Sequence, residues 1–151
     1  MTCISLKCSK CEYERELALG VIMQECDCPE EIFGGENPQL LEIIKNDKIA
    51  NKALELIKNG GVPSRNYDRE IYYCSVCNEF HNHFHFAIEK DNKTFEPDYD
   101  CSICGCRLII VKLAHDNYKL YLQDSNQKRI DWHCPNCGND DLECGDTLMV
   151  D

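Results

Sequence analysis

Four pairs of cysteines, each separated by two residues, constrain the fold of this chain more than any other feature. The pairs are Cys8/Cys11, Cys74/Cys77, Cys101/Cys104 and Cys134/Cys137. A Cys-x-x-Cys turn presents two thiolates on one side of a tight loop, and two facing turns complete a tetrahedral four-thiolate site. Glycines follow the last two pairs and suit the positive φ that such turns favour. The sequence therefore predicts two metal sites that use all eight cysteines.

The cysteine content points to metal binding in a reducing compartment. The chain carries 13 cysteines in 151 residues, which in a secreted protein would suggest disulfides. Residues 1–8 lack the apolar core and cleavage site of a secretory signal, and no apolar run approaches the ~18 residues of a membrane span. The odd number and two-residue spacing suit metal ligation better than disulfide bridges. We expect a cytoplasmic protein without a membrane segment.

The charge of the chain bears on its partners. The formal net charge is −11, and eight thiolates with two Zn²⁺ ions would make it more negative. Binding to phosphates requires clustered basic residues, whereas the densest pair here is Lys128-Arg129. We therefore expect a protein partner; nucleic acid is disfavoured, although a local contact stays open. The sequence does not indicate an oligomeric state.

Hydrophobic periodicity predicts a mainly β fold with a small helical insertion (α+β). Strands are expected at residues 2–7, 13–23, 71–73, 80–86, 108–113 and 118–122, with a turn at 115–117. A linker is expected at 29–37. A helical pair follows within about 38–60, where Asn37 and Asp47 are candidate caps. Its apolar stripe should pack on the β part of the protein.

Four turns can combine into two sites in three ways. We expect sequential pairing, with Cys8, Cys11, Cys74 and Cys77 in one site and Cys101, Cys104, Cys134 and Cys137 in the other. Each site would then keep a hairpin attached to its own turns, in units 1–96 and 97–151. The main alternative joins the two inner turns and sends the first turn to the last. Loop closure does not exclude it, because its cost grows only logarithmically.

The chain resembles bacterial zinc-ribbon proteins, in particular small two-ribbon proteins of unassigned function. The resemblance lies in Cys8-x-x-Cys11 followed by Leu17-Ala-Leu-Gly20, in Tyr73-Cys74-x-x-Cys77, and in residues 101–138. It implies two structural zinc ions held by the eight paired cysteines. Cys3, Cys26, Cys28, Cys106 and Cys144 lie outside this pattern and receive no role.

Residues 99–105 and 131–138 are also similar to the two iron-binding turns of rubredoxins, including the aromatic residue before each turn. This second resemblance implies iron and one-electron transfer in the site predicted to hold Cys101 and Cys134. The β run between these turns departs from the loop found in rubredoxins. Because tetrahedral thiolate sites suit both metals, we expect zinc and keep iron as the alternative.

The motifs of metal-dependent catalysis are missing from the sequence. A catalytic zinc keeps one open position, but both predicted cysteine sets are closed. His-Glu-x-x-His, the zinc-deaminase signature and a glycine-rich phosphate loop are all missing. His81, His83 and His85 share one strand face and could hold a third metal, although a solvated face is the favoured interpretation. We expect a non-enzymatic zinc protein that binds another macromolecule, and we expect that macromolecule to be a protein. Iron-based electron transfer and nucleic-acid recognition are the alternatives.

Overall fold

The computed structural model describes residues 1–21, 29–145 and 148–149. This part of the chain is mainly β, with 39% strand and 15% helix, in three small antiparallel sheets and three short helices. The predicted fold class is confirmed at this level. The end of the strand predicted at 13–23 and the Cys26/Cys28 pair lie outside the described residues.

The elements follow one another along the chain with strands on both sides of the helices. The strands are β1 (Thr2–Cys8), β2 (Glu14–Leu19), β3 (Val62–Pro63), β4 (Asp68–Tyr73), β5 (Phe80–His85), β6 (Ile88–Lys90), β7 (Lys93–Phe95), β8 (Ile109–Asp116), β9 (Lys119–Gln123), β10 (Arg129–Ile130), β11 (Leu142–Cys144) and β12 (Leu148–Met149). The helices are α1 (Pro29–Phe33), α2 (Leu40–Ile43) and α3 (Asp47–Lys58).

The first sheet joins the beginning of the chain to its end. β1 pairs with β2 on one side, and with β11 and β12 on the other. All these pairs are antiparallel, and Cys8 lies opposite Leu142. The turn that follows β1 is thereby placed beside the segment that precedes β11.

The second sheet has five strands in the order β10-β9-β8-β4-β5. β8 and β9 form the predicted hairpin, with Asn117 and Tyr118 at positive φ (47° and 71°) in its turn. Two consecutive residues of this kind make a two-residue turn that matches the twist of a hairpin. β8 also pairs with β4, so this sheet crosses the predicted boundary between units 1–96 and 97–151. That division stays a prediction. The third sheet, β3-β6-β7, is small.

The helices dock where the amphipathic pattern indicated. Asn46 caps α3, since its side chain accepts a hydrogen bond from the Ile49 N–H at 3.3 Å. Asp47, the predicted cap, is the first helical residue instead. Ala50 and Ala53 are fully buried in one core cluster with Phe86. The predicted linker 29–37 contains the short helix α1, because its residues Ile32 and Phe33 enter the same core.

The buried residues of the described part form two clusters, one on each side of the five-stranded sheet. Tyr72 belongs to the cluster that contains the helices, whereas its neighbour Tyr73 belongs to the cluster around β1. This division follows from the alternation of side chains along a strand. Cys74 and Cys101 lie in the helical cluster, and Cys8 and Cys134 lie in the other. None of the described helices is long and apolar enough to cross a membrane.

Candidate metal centres

The eight paired cysteines gather into two groups of four. The terminal site contains Cys8, Cys11, Cys134 and Cys137; the inner site contains Cys74, Cys77, Cys101 and Cys104. Within each group, the Sγ atoms all lie within 4.8 Å of one another. Each group could therefore hold a metal ion.

The distances between sulfur atoms fit ligands of a shared ion. In the terminal site, the Sγ atoms of Cys8 and Cys137 are 3.6 Å apart and those of Cys11 and Cys134 are 3.5 Å apart. The inner site has 3.4 Å between Cys74 and Cys104, and 3.6 Å between Cys77 and Cys101. A zinc–sulfur bond of about 2.3 Å gives tetrahedral edges of about 3.8 Å. A disulfide would require about 2.0 Å.

Without a cation, the thiols within a group differ in pKa. Burial opposes ionisation of Cys134, but the backbone N–H groups of Cys137 and Asn136 outweigh it and lower the pKa of Cys134 to about 7. Burial and the neighbouring thiols of Cys74 and Cys101 raise the pKa of Cys77 to about 12. A bound metal ion overrides these differences, because a coordinating thiol is deprotonated. Metal binding at these groups would thus release protons and depend on pH.

The sequential pairing predicted from the sequence is wrong. The first turn meets the last one, and the two inner turns meet each other. In each site, the strand that enters the first turn pairs antiparallel with the strand that leaves the second. Cys8 lies opposite Leu142 in the terminal site, and Tyr73 lies opposite Ile109 beside the inner site. Antiparallel pairing brings both turns to the same end of the sheet.

The observed pairing also contradicts the rubredoxin-like site predicted from residues 99–105 and 131–138. Cys101 and Cys104 lie in the inner site, whereas Cys134 and Cys137 lie in the terminal site. The two turns that resemble rubredoxin therefore cannot share one iron ion.

All four turns are closed by the same backbone contact. The amide of the first cysteine donates to the carbonyl oxygen five residues later: Cys8 to Tyr13 (3.0 Å), Cys74 to Glu79 (3.0 Å), Cys101 to Cys106 (2.7 Å) and Cys134 to Asn139 (2.8 Å). Gly105 and Gly138 adopt positive φ as predicted, and Asn78 does so after Cys77. In the terminal site, the amides of Lys10 and Asn136 each donate to a cysteine sulfur at 3.4 Å. Such donors favour the thiolate form.

A column of histidine and tyrosine rings adjoins the inner site. His81 Nε2 lies 3.3 Å from Cys101 Sγ. His81 and His83 are stacked, and His83 stacks in turn on Tyr99 with 4.1 Å between ring centroids. Burial and His81 lower the pKa of His83 to about 4, so His83 is neutral near pH 7.

The histidine face is therefore half-buried, and the prediction that it is solvated is wrong. His85 contacts Tyr72 Oη at 3.3 Å and Glu96 at 3.4 Å. Among the described residues, the three histidines do not form a ligand group with one another. The alternation of histidines along the strand does not predict these ring contacts, because Tyr99 lies outside that strand.

Sequence reasoning missed the residues that lie between the two sites. Glu79 is buried, although it is an acidic residue, and accepts hydrogen bonds from the Tyr13 hydroxyl and from Arg15 Nε (2.9 Å). Trp132 Nε1 donates to the Asn78 carbonyl oxygen at 3.0 Å. Tyr13 and Glu79 occupy the same position in their turns, five residues after the first cysteine. This shared position is the sequence feature from which a role for Tyr13 and Glu79 could have been predicted.

The outer surfaces of the two sites differ in polarity. Val76 and Ile103 occupy the third position of the inner turns and are 64% and 67% exposed. The equivalent positions of the terminal site hold Lys10 and Asn136. The remaining described cysteines, Cys3, Cys106 and Cys144, lie outside both groups. At the third turn position, the described part of the chain thus has large exposed apolar side chains at the inner site and polar ones at the terminal site.

Comparisons of the chain with protein-family models, with curated proteins and with solved structures found no match. The interpretation of function therefore rests on the two cysteine groups and their surroundings.

Proposed function

We propose that this protein binds two zinc ions, one in each four-cysteine group, and that the metal-stabilised surface binds a protein partner. The observation that carries the proposal is the closed arrangement of four sulfur atoms in each group. Four thiolates fill the coordination shell of zinc, whereas catalytic zinc sites keep one position for water. The zinc ions would thus have a structural role, as they do in zinc ribbons.

The surroundings of the sulfur atoms support a structural role. One cysteine of each turn is buried or half-buried in a core cluster, which ties the sites to the packing of the protein. Backbone amides donate to sulfur atoms of the terminal site. Partners of this kind orient metal ligands and tune the metal. Iron would fit the same ligand set, so metal analysis decides between structural zinc and electron transfer.

Two features favour a protein as the partner. Val76 and Ile103 are large apolar side chains that are mostly exposed beside the inner site, and exposed apolar patches mark interaction surfaces. The net charge of −11 disfavours binding to phosphate backbones. Because thiolate sites need reduced cysteines, the proposal places the protein in a reducing compartment.

The metal content and the pairing of the turns can be tested together. Elemental analysis of purified protein should give two zinc ions per chain. The double variant Cys8→Ser/Cys134→Ser alters one site and should retain one zinc ion. Cys8→Ser/Cys74→Ser alters both sites and should retain close to none under mild chelator competition, because each metal loses a ligand.

Cys3→Ser/Cys144→Ser is the matched control, since these cysteines lie outside both groups, and it should keep both ions. Iron in place of zinc would contradict the structural proposal. Equal losses from the two double variants that share Cys8→Ser would contradict the observed pairing.

A further inference from the structure

The two sites are connected by a hydrogen bond between Tyr13 and Glu79, each of which follows a cysteine of its site by two residues. Tyr13 closes the first turn of the terminal site, because its carbonyl oxygen accepts from the Cys8 amide. Glu79 closes the first turn of the inner site by the same contact with Cys74. The Tyr13 hydroxyl donates directly to the Glu79 carboxylate. Tyr13 and Glu79, which close turns of two different sites, are therefore joined by a direct hydrogen bond.

Arg15 strengthens this link from the side of the terminal site. Its guanidinium donates to both oxygens of Glu79, at 2.9 Å through Nε and 3.2 Å through Nη2. It also lies 4.4 Å from the centroid of the Tyr13 ring. Glu79 is only 6% exposed, and a buried carboxylate that loses its partners is costly. The inner turn thus depends on Tyr13 and Arg15 being in place.

Trp132 makes a second link through the other turn of the terminal site. It precedes Cys134 by two residues and donates from Nε1 to the Asn78 carbonyl oxygen at 3.0 Å. Asn78 follows the ligand Cys77 and holds a positive φ of 60°, with its side chain bound by the Tyr73 hydroxyl at 2.6 Å. Trp132 also packs against Tyr13, with 6.0 Å between ring centroids. Both turns of the terminal site therefore contact the same inner turn.

We propose that the two sites bind metal with positive cooperativity, and that Glu79 and Trp132 transmit this coupling. The inference rests on the proposed metal binding. Metal in the terminal site fixes the positions of Tyr13, Arg15 and Trp132 relative to Cys11 and Cys134. The partners of residues 78–79 are then already positioned. Metal binding at the inner site therefore costs less conformational entropy. By thermodynamic linkage, metal in the inner site favours the terminal site by the same factor.

The coupling is measured by comparing the zinc affinity of the inner site with the terminal site intact and disabled. Cys8→Ala/Cys11→Ala disables the terminal site, and reduced full-length protein is titrated in zinc buffers. Disabling that site should weaken zinc binding at the inner site by about tenfold, within the usual range of coupling factors. In the Glu79→Gln/Trp132→Phe background, the same disabling should change the affinity less than about twofold, because the link is already broken.

Phe86→Leu serves as the control for general destabilisation. Phe86 is fully buried in the helical cluster and takes no part in the link. The tenfold effect should persist in this variant. A similar loss of coupling in Phe86→Leu would assign the cooperativity to overall folding and overturn the proposal. An inner site that binds zinc equally with the terminal site intact or disabled would also overturn it, while leaving metal binding itself standing.

Native mass spectrometry of the chain with all its cysteines provides a second measurement, which does not require a disabled site. For two sites of equal intrinsic affinity at half saturation with zinc, tenfold coupling leaves about a quarter of the molecules with one metal ion, and independent sites leave about half. Glu79→Gln/Trp132→Phe should raise the one-metal fraction accordingly. An unchanged fraction would overturn the coupling. If no zinc binds to the unmodified chain, both the coupling and the proposed function fail.

Discussion

A single carboxyl on β4 illustrates how local environment sets the pH response of this protein. Burial and the neighbouring Glu70 raise the pKa of Asp68 to about 6. Lys112 donates to both oxygens of Glu70, at 2.7 and 2.6 Å. Because the pKa of Asp68 is raised, the folded state holds the Asp68 proton more tightly than the unfolded chain does. This contribution to stability is fully present below a pH of about 4 and is lost as the pH rises through 6.

The substitution Asp68→Asn should consequently stabilise the protein at pH 8, where the wild-type carboxylate is charged. We expect on the order of 1 kcal/mol, a value reduced for the partial exposure of the side chain. The gain should shrink on moving from pH 8 to pH 5.5, as measured by thermal unfolding of the zinc-loaded protein. Asp116→Asn, at an exposed position in β8, is the matched control. A gain of equal size at both pH values would contradict the assignment.

His81 gives a prediction that separates the two metal sites. Its Nε2 lies 3.3 Å from Cys101 Sγ in the inner site, whereas the described partners of the terminal sulfurs are backbone amides. Loss of such a partner typically lowers metal affinity 10- to 100-fold. His81→Phe should therefore speed zinc release from one of the two sites, by about tenfold, in a chelator competition assay. His81→Gln can still donate to the sulfur and should lie closer to wild type; acceleration at both sites would contradict the prediction.

At the scale of elements, the sequence predicted the structures that are formed by short, continuous stretches of the chain. The four cysteine turns, the β8–β9 hairpin and the α2–α3 segment all follow from spacing and periodicity over short stretches. The short helix α1 was missed, although Pro29 begins it and acidic Glu30 and Glu31 occupy its first turn. Those residues are typical of a helix start. Their signal was outweighed by the nearby glycines, which indicated a linker.

The pairing of the turns could not be predicted, because it depends on contacts between distant strands. β11 has only three residues, Leu142–Cys144, and carries no distinctive pattern. Its pairing with β1 nevertheless decides that the first turn meets the last one. Hairpin continuity favoured the sequential arrangement, and closure entropy opposed the observed one only weakly. The sequence thus predicts which eight cysteines form the two groups, and the sheets determine how those cysteines are divided between the groups.

At the scale of the whole molecule, each metal site is set into one of the two core clusters. Cys74 and Cys101 are buried with the residues that the helices contribute, and Cys8 and Cys134 are buried with β1 and Trp132. Structural zinc contributes on the order of 10–16 kcal/mol of apparent binding free energy at neutral pH. That value equals or exceeds the net stability of a typical domain, about 5–15 kcal/mol. Zinc would therefore decide whether both clusters stay folded.

Removal of the metal should accordingly unfold the strands, and the helices should melt with them because they lose their docking surface. Circular dichroism during a chelator titration under reducing conditions should show the strand and helix signals falling together as zinc leaves. The same chelator loaded with zinc beforehand is the control and should leave the spectrum unchanged. Cobalt added to the metal-free chain should restore the structure and give the absorption of a tetrahedral thiolate site. If zinc leaves completely while the spectrum and the thermal transition stay the same, the sites do not hold the fold together, and transport, sensing or redox chemistry becomes the better explanation for them.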